Sequence, residues 1–197
     1  MAIEDQIARR IHGLRRTRGL TLEQLAAASG VSRSMISLIE RAETSPTATV
    51  LDKLADALGV PLPSLFAVPD DDGEPTPLAT RAQQAEWTDP ATGYVRRQVS
   101  PASADPALEL VEIQFPPGQR VSFESPQRPV RVHQLVWMLD GEMEIALDGR
   151  IWRLRAGDCL RLVLDHTITF HNPTPKPARY ALALTTQAAP LRGRSPA

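Results

Sequence analysis

Apolar residues change their spacing partway along the chain. Through residue 66 they recur every three or four positions, the period of helices that bury one face; from Tyr94 onward they alternate with polar residues, the period of half-buried strands. The stretch IARRIHGLRRTRG places Ile7, Ile11 and Leu14 inward on a leading helix and leaves Arg9, Arg15, Arg16 and Arg18 to solvent. Residues 20–41, LTLEQLAAASGVSRSMISLIER, then form two short amphipathic helices separated by one glycine. Thr21 with Gln24 three positions later is a capping-box signature, and Leu25 and Ala26 supply the buried stripe. Gly30 suits the left-handed conformation that ends this helix, after which Val31 tucks into the shared core. Ser32 is the N-cap of the next helix, with Ile36 and Ile39 on one face. Ser34, Ser37, Leu38 and Arg41 fall on the other, with Arg33 beside them. A fourth helix follows in SPTATVLDKLADALGV, capped by Thr47, striped by Val50, Leu51, Leu54 and Leu58 and closed by Gly59, before a short final turn in PLPSLF.

The alternating part holds LELVEIQF, RVHQLVWML, GEMEIAL, RIWRLR, DCLRLVL, TITFHN and ARYALALTT, each of strand length and content. Asp148-Gly149 is a two-residue hairpin signal, and Pro116-Pro117-Gly118 and Ala156-Gly157-Asp158 are further turns. Strands so evenly spaced predict a closed antiparallel barrel or a jelly roll. Between the two parts, VPDDDGEPTPLAT at 68–80 carries three prolines and four acids, so it reads as an exposed linker. The predicted domains are 1–67 and 81–190.

Charge sharpens the picture of the first part. The chain of 197 residues has a net charge of -1, yet residues 1–41 hold seven arginines against Glu4, Asp5, Glu23 and Glu40. A locally basic surface on a neutral chain suits a nucleic-acid contact confined to one face. The single cysteine, Cys159, excludes an intramolecular disulfide, and its run CLRLVL predicts a buried packing role. The charged start MAIEDQIARR is no signal peptide and no apolar run reaches membrane-spanning length, so a soluble, cytoplasmic protein with no membrane partner is expected.

Residues 20–41 resemble the helix-turn-helix of the phage Cro and cI repressors (the XRE family) in Ala26, Gly30, Val31, Ile36 and Ile39, and the resemblance extends over residues 6–66. It implies a transcriptional regulator whose second motif helix enters the major groove of double-stranded operator DNA. Arg33 is then the candidate for a guanine edge, Ser34 and Ser37 for base or phosphate, and Leu38 for a thymine methyl. Thr21, Gln24 and Arg41 meet the backbone, Ser32 is a further DNA-binding candidate, and Arg15 and Arg16 add electrostatic attraction. One such module reads only a few base pairs, so a homodimer on a two-fold operator is expected, joined through the second domain.

That second domain resembles the cupins in PPG at 116–118, LVWMLDGEMEIALDG with Gly141, the AGD turn at Gly157, and Asn172. The fold class implied is two domains: an all-α helix-turn-helix bundle followed by an all-β cupin jelly-roll barrel. Cupins that hold a metal do so with histidines and a glutamate. Aligned here, the glutamate position is Gln134, two histidine positions fall at 128–131, and the last is Ile168, so no metal and no cofactor is expected. His133, His166 and His171 remain nearby; strand alternation turns His133 and His171 outward, favouring structural roles over a displaced metal site.

The same alternation points Val130, Val132, Gln134, Val136 and Met138 inward from one strand and Ile168 and Phe170 from another, with Arg128 and Arg131 near the mouth. This make-up suits a pocket for a small-molecule effector, lined by Gln134, Val136, Ile168, Phe170, Arg128 and Arg131, and equally a packed core. Trp137 and Trp152 read as barrel or interface packing. No nucleophile elbow or phosphate loop is present, so there are no catalytic residues to name. The chain reads as a regulator, not an enzyme; the alternative is a metal-dependent cupin enzyme carrying an accessory helix-turn-helix domain.

Overall fold

The computed structural model describes residues 3–66, 77–101, 108–124, 130–164 and 166–188. Most of the linker at 68–80 lies outside them, as does Arg128; Val130 and Arg131 are described in backbone only. Four helices come first: α1 (Ile3–Thr17), α2 (Leu22–Ser29), α3 (Arg33–Glu40) and α4 (Ala48–Ala57), followed by a 3-10 turn at Leu62–Phe66. Their caps are those the sequence predicts. The Gln24 backbone N–H donates to Thr21 Oγ1 at 3.1 Å while the Thr21 backbone N–H donates to Gln24 Oε1 at 2.8 Å. Gly30 adopts φ 68° to end α2, Ser32 Oγ accepts from Met35 N, and Thr47 Oγ1 accepts from Val50 N. Ile7, Ile11, Leu25, Ile36, Ile39, Leu51, Leu54 and Leu58 are buried together at the centre of the bundle.

Among the described residues ten strands follow: β1 (Glu86–Thr88), β2 (Val95–Gln98), β3 (Glu109–Phe115), β4 (Arg120–Phe123), β5 (Val130–Asp140), β6 (Glu142–Leu147), β7 (Arg150–Arg155), β8 (Cys159–Val163), β9 (Ile168–His171) and β10 (Ala178–Ala188). They form two antiparallel sheets, one in the order β1-β2-β3-β10-β5-β8 and one in the order β4-β9-β6-β7. The two sheets face each other across a core, with the Phe170 and Tyr180 rings stacked 5.9 Å apart, so the second domain is a two-sheet jelly roll. The Asp148-Gly149 turn joins β6 to β7 with both residues at positive φ, as a tight type I′ hairpin requires. Gly141, at φ 76°, also has no room for a side chain: a Cβ there would meet Pro177 O and Ala178 Cα at 2.9 Å. Asn172 is fully buried, donating to Pro116 O and Lys176 O and accepting from Thr174 N and Oγ1, which ties the ends of β3, β9 and β10 together.

The helical and strand parts share a packed joint. Asp89, just after β1, is buried; its Oδ1 accepts from Ala48 N at 3.0 Å, in the first turn of α4, and its Oδ2 accepts from Thr92 N. Phe66, ending the helical part, packs edge-on against Trp87 of β1 with centroids 5.6 Å apart. From there the rings run Trp87, Tyr94, Phe115, Tyr180, Phe170 and Phe123, each within 6.4 Å of the next.

Two expectations are corrected. Arg15 is not available to solvent: it is 7% exposed, with Nε 2.6 Å from Glu40 Oε1, Nη2 2.7 Å from Glu40 Oε2, and Nη1 donating to Leu20 O. It lies four residues beyond Ile11 on the same helical stripe, so its head is drawn into the α1–α3 contact. Cys159 is exposed instead of buried. The run CLRLVL alternates: Leu162 points in, while Cys159 sits beside Trp137 on the outer face of the larger sheet.

The Arg15–Glu40 pair sets a pH dependence. Burial acts to raise the Glu40 carboxyl, but hydrogen bonds from Arg15 and His12, together with their charges, outweigh it and hold the group below its usual range. A depressed carboxyl contributes stability that is complete above its unfolded value and lost as pH falls through the folded one. Glu40→Ala is expected to lower stability by about 2–3 kcal/mol at neutral pH, because it strands a buried guanidinium. In urea unfolding the gap between parent and variant should narrow once pH drops below about 4. An equal gap in neutral and acidic solution would contradict this role.

Candidate functional site

The outward face of α3 is built by what its inward face buries. Ile36 and Ile39 are at most 1% exposed, which fixes the helix's rotation and turns Arg33, Ser34 and Met35 outward. Ser37 and Leu38 are half-buried further along the helix. The Arg33 side chain is two-thirds exposed; its Nε lies 2.7 Å from Glu23 Oε1 of α2. Arg41, at the other end, holds Glu43 at 2.7 Å and donates to Ser37 Oγ. Ser32 and Ser34 share a hydrogen bond at 3.2 Å. Thr21 and Gln24 are exposed but occupied with each other as the cap of α2, and Arg16 lines a surface groove with Gly19, Thr21 and Glu23. These contacts join Arg33 to Glu23, Ser32 to Ser34, Ser37 to Arg41 and Thr21 to Gln24, with Arg16 beside Thr21 and Glu23. Arg15 is withdrawn from this group by its pairing with Glu40.

The second feature is a cavity of about 70 Å³ between the two sheets. Gln134, Ile168 and Phe170 line it as their alternation predicts, and Val136, though buried, does not. Gln134 is 4% exposed and its Nε2 has no hydrogen-bond partner. The wall also includes Tyr94, Arg96, Phe115 and Tyr180, none of them anticipated from the sequence, and Asp52, Leu62 and Pro63 from the helical part. The cavity therefore touches both halves of the molecule.

Comparison with known proteins agrees with this anatomy. The helix-turn-helix family HTH_3 matches residues 11–65. The chain is 31% identical over 159 residues to the HTH-type transcriptional regulator SutR of Escherichia coli (strain K12), covering 81% of this chain and 83% of that protein. The chain belongs to the HTH-type transcriptional regulators. A further regulator of this kind, PuuR of Escherichia coli (strain K12), is 24% identical over 153 residues, or 76% of this chain and 78% of PuuR. A crystal structure of an HTH_3 family transcriptional regulator from Vibrio cholerae superposes with a TM-score of 0.71 at 26% identity, covering 93% of this chain and 96% of that one.

This HTH-type regulator is accordingly a DNA-binding protein with a β-sandwich attached. Its sandwich does not offer the donor set of a metal cupin. Gln134 brings a neutral amide and Ile168 a hydrocarbon to positions where the resemblance implies ligands. His133 and His171 lie on the outer sides of different sheets, His171 Nδ1 sitting 3.1 Å from Glu144. His166 is exposed between β8 and β9. Among the described residues no three His, Cys, Asp or Glu side chains converge. Arg96 carries no clear signature in the sequence, because VRRQ holds two adjacent arginines and a four-residue strand gives no reason to turn either inward. Its only cue is that Arg96 stands an even number of residues from Tyr94.

An unpartnered amide in an apolar cavity is a liability to the empty protein. Gln134→Met, which removes that amide at similar volume, is expected to raise the thermal midpoint of the ligand-free regulator. A lower midpoint would mean that Gln134 holds the sheets together in a way its unpaired Nε2 does not suggest.

Proposed function

We propose that this regulator binds a two-fold operator as a homodimer, that α3 lies in the major groove, and that a small-molecule effector in the sandwich cavity adjusts the grip. The observation that carries the first part is α3 itself: its inward face is sealed while its N-terminal end presents Arg33 and Ser34 free of the core. Arg33 leaves an exposed ion pair with Glu23 to reach a guanine edge, an exchange that loses little because exposed pairs are weak. Ser34 and Ser37 are short enough for base or phosphate, and Leu38 and Met35 offer apolar contact to a thymine methyl. Ser32, Thr21, Gln24, Arg16 and Arg41 serve the phosphate backbone. Work on DNA calls for the cytoplasmic compartment, and among the described residues no helix is long and apolar enough to cross a membrane.

The dimer contact in this reading is the outer face of the larger sheet. Adjacent strands there expose Leu110 (39%), Leu135 (42%) and Trp137 (53%), flanking Ala181 and Ala183 of β10. Apolar side chains clustered on the outside of a sheet mark a surface for association. A two-fold dimer places its recognition helices about 34 Å apart, one turn of DNA. The role is regulatory and not that of a metal-dependent enzyme, because Gln134 and Ile168 stand where the ligand set would be.

Two experiments test this. Arg33→Ala should weaken operator binding by about 1–3 kcal/mol and relax preference at one base pair, with strong salt dependence retained in both proteins. An unchanged affinity and unchanged sequence preference in gel-shift titrations would remove Arg33 from base reading. Trp137→Glu should convert the dimer to monomer in analytical ultracentrifugation and weaken operator binding while leaving the helical circular dichroism intact. A Trp137→Glu dimer as tight as the parent would move the interface elsewhere.

A further inference from the structure

Arg96 is a buried charged group with an unpaired donor. It sits on β2 opposite Ile113, faces the cavity, and is 6% exposed. Its Nε has no hydrogen-bond partner, and its one hydrogen bond runs from Nη2 to Gln98 Oε1 at 3.4 Å. Its guanidinium carbon lies 4.6 Å from the centre of the Phe66 ring. Among the described residues no carboxylate reaches it within 4.0 Å, in contrast to Arg15 and its Glu40. The acid whose charge it feels, Glu109, is itself buried, hydrogen-bonded to Gln98, and pushed by that burial toward its neutral form. Burial likewise pushes the Arg96 guanidinium below its usual value, with Tyr94, Glu109 and Tyr180 acting the other way. Both phenols are driven up by burial and stay protonated, so neither supplies an anion. A buried cation without a counter-charge is costly, and a protein keeps one where something else completes it.

We propose that Arg96 is the anchor of an effector site for a small organic carboxylate with an apolar body. The carboxylate takes the open Nε side of the guanidinium, and the Gln134 amide, the other unpartnered buried donor on this wall, offers a second contact to an acceptor atom. Both unsatisfied atoms are donors, which selects a ligand rich in acceptors. Apart from Asp52, which comes from the helical part, and the two protonated phenols, the rest of the wall is aromatic and aliphatic (Phe115, Phe123, Phe170, Leu182), which selects an apolar remainder over a sugar or a nucleotide. The site also has a route to the DNA end. Phe66 covers Arg96, and Leu62 and Pro63 of the same 3-10 turn close the cavity, so neutralising Arg96 changes what the helical part rests on. This inference rests on the effector reading above and gives it a chemistry.

The test uses the full chain with propionate and butyrate, whose size suits a cavity of about 70 Å³, their neutral counterparts propanamide and butanamide, and inorganic phosphate. Thermal midpoints and isothermal titration are recorded for the parent, Arg96→Met and Arg96→Lys. The carboxylates should raise the parent's midpoint at millimolar concentration while the amides and phosphate leave it unchanged. Arg96→Met should fold at least as stably as the ligand-free parent, having lost an unpaired buried charge, and should bind the carboxylates at least tenfold more weakly. Arg96→Lys should retain part of the response. Equal carboxylate binding by parent and Arg96→Met, or no response of the parent to either carboxylate, would overturn the site. Operator affinity measured on the same samples separates the two claims: carboxylate binding that leaves operator affinity unchanged supports the Arg96 site and refutes its use as an effector site.

Discussion

The joint at Asp89 is the constraint on which the geometry of the whole chain depends. One buried carboxylate from the strand part accepts a hydrogen bond from Ala48 at the start of α4, and its other oxygen is held by Thr92. A carboxylate at a helix N-terminus meets unpaired amides and the positive end of the helix dipole, so the contact is favourable as well as directional. α4 packs against α2, and α2 against α3, so the orientation of the outward face of α3 is inherited from a residue in the loop between β1 and β2. Phe66 against Trp87 closes the same joint from the other side. The two parts are separate in sequence character but meet as packed bodies here.

Two buried arginines show opposite solutions to one problem. Arg15 is drawn into the bundle and met by both oxygens of Glu40, with Leu20 O taking a further N–H. Its charge pins α1 to the end of α3. Arg96 is drawn equally far in and met by an aromatic face and one long hydrogen bond. A paired guanidinium locks a structure, whereas an unpaired one leaves a place for something to bind. The difference lies in the partners, since both side chains are almost completely covered.

Helices, caps and most strands were legible because each rests on a local signal. Thr21-Gln24, Gly30, Ser32 and Thr47 announce their caps in the sequence, and Asp148-Gly149 announces its hairpin. The inward set Val132, Gln134, Val136, Met138, Ile168 and Phe170 follows from alternation alone. What escaped was short or long-range. β1, β2 and β4 hold three or four residues each, too few for a period to emerge. Residue type alone marks Arg15 as solvated, whereas its place on the Ile7–Ile11 stripe draws it inward. The apolar run around Cys159 hides an alternation that turns it outward. Arg96 and Asp89 owe their roles to partners 30 or more residues away, Phe66 and Ala48, which no spacing rule connects.

The placement of the three tryptophans gives this protein a built-in set of optical reporters. Trp87 is 1% exposed at the joint, in contact with Phe66 and Tyr94, and its indole Nε1 has no hydrogen-bond partner. Such an indole emits toward the blue and is shielded from a dissolved quencher. Trp137 is half exposed on the outer sheet face of the single chain, so its emission is red-shifted and quenched by iodide in a monomer and changes when that face is covered. Trp152 lies half-buried on the smaller sheet, opposite Ile145. Fluorescence from a single sample thus separates rearrangement at the joint from masking of the outer face, without any label being attached.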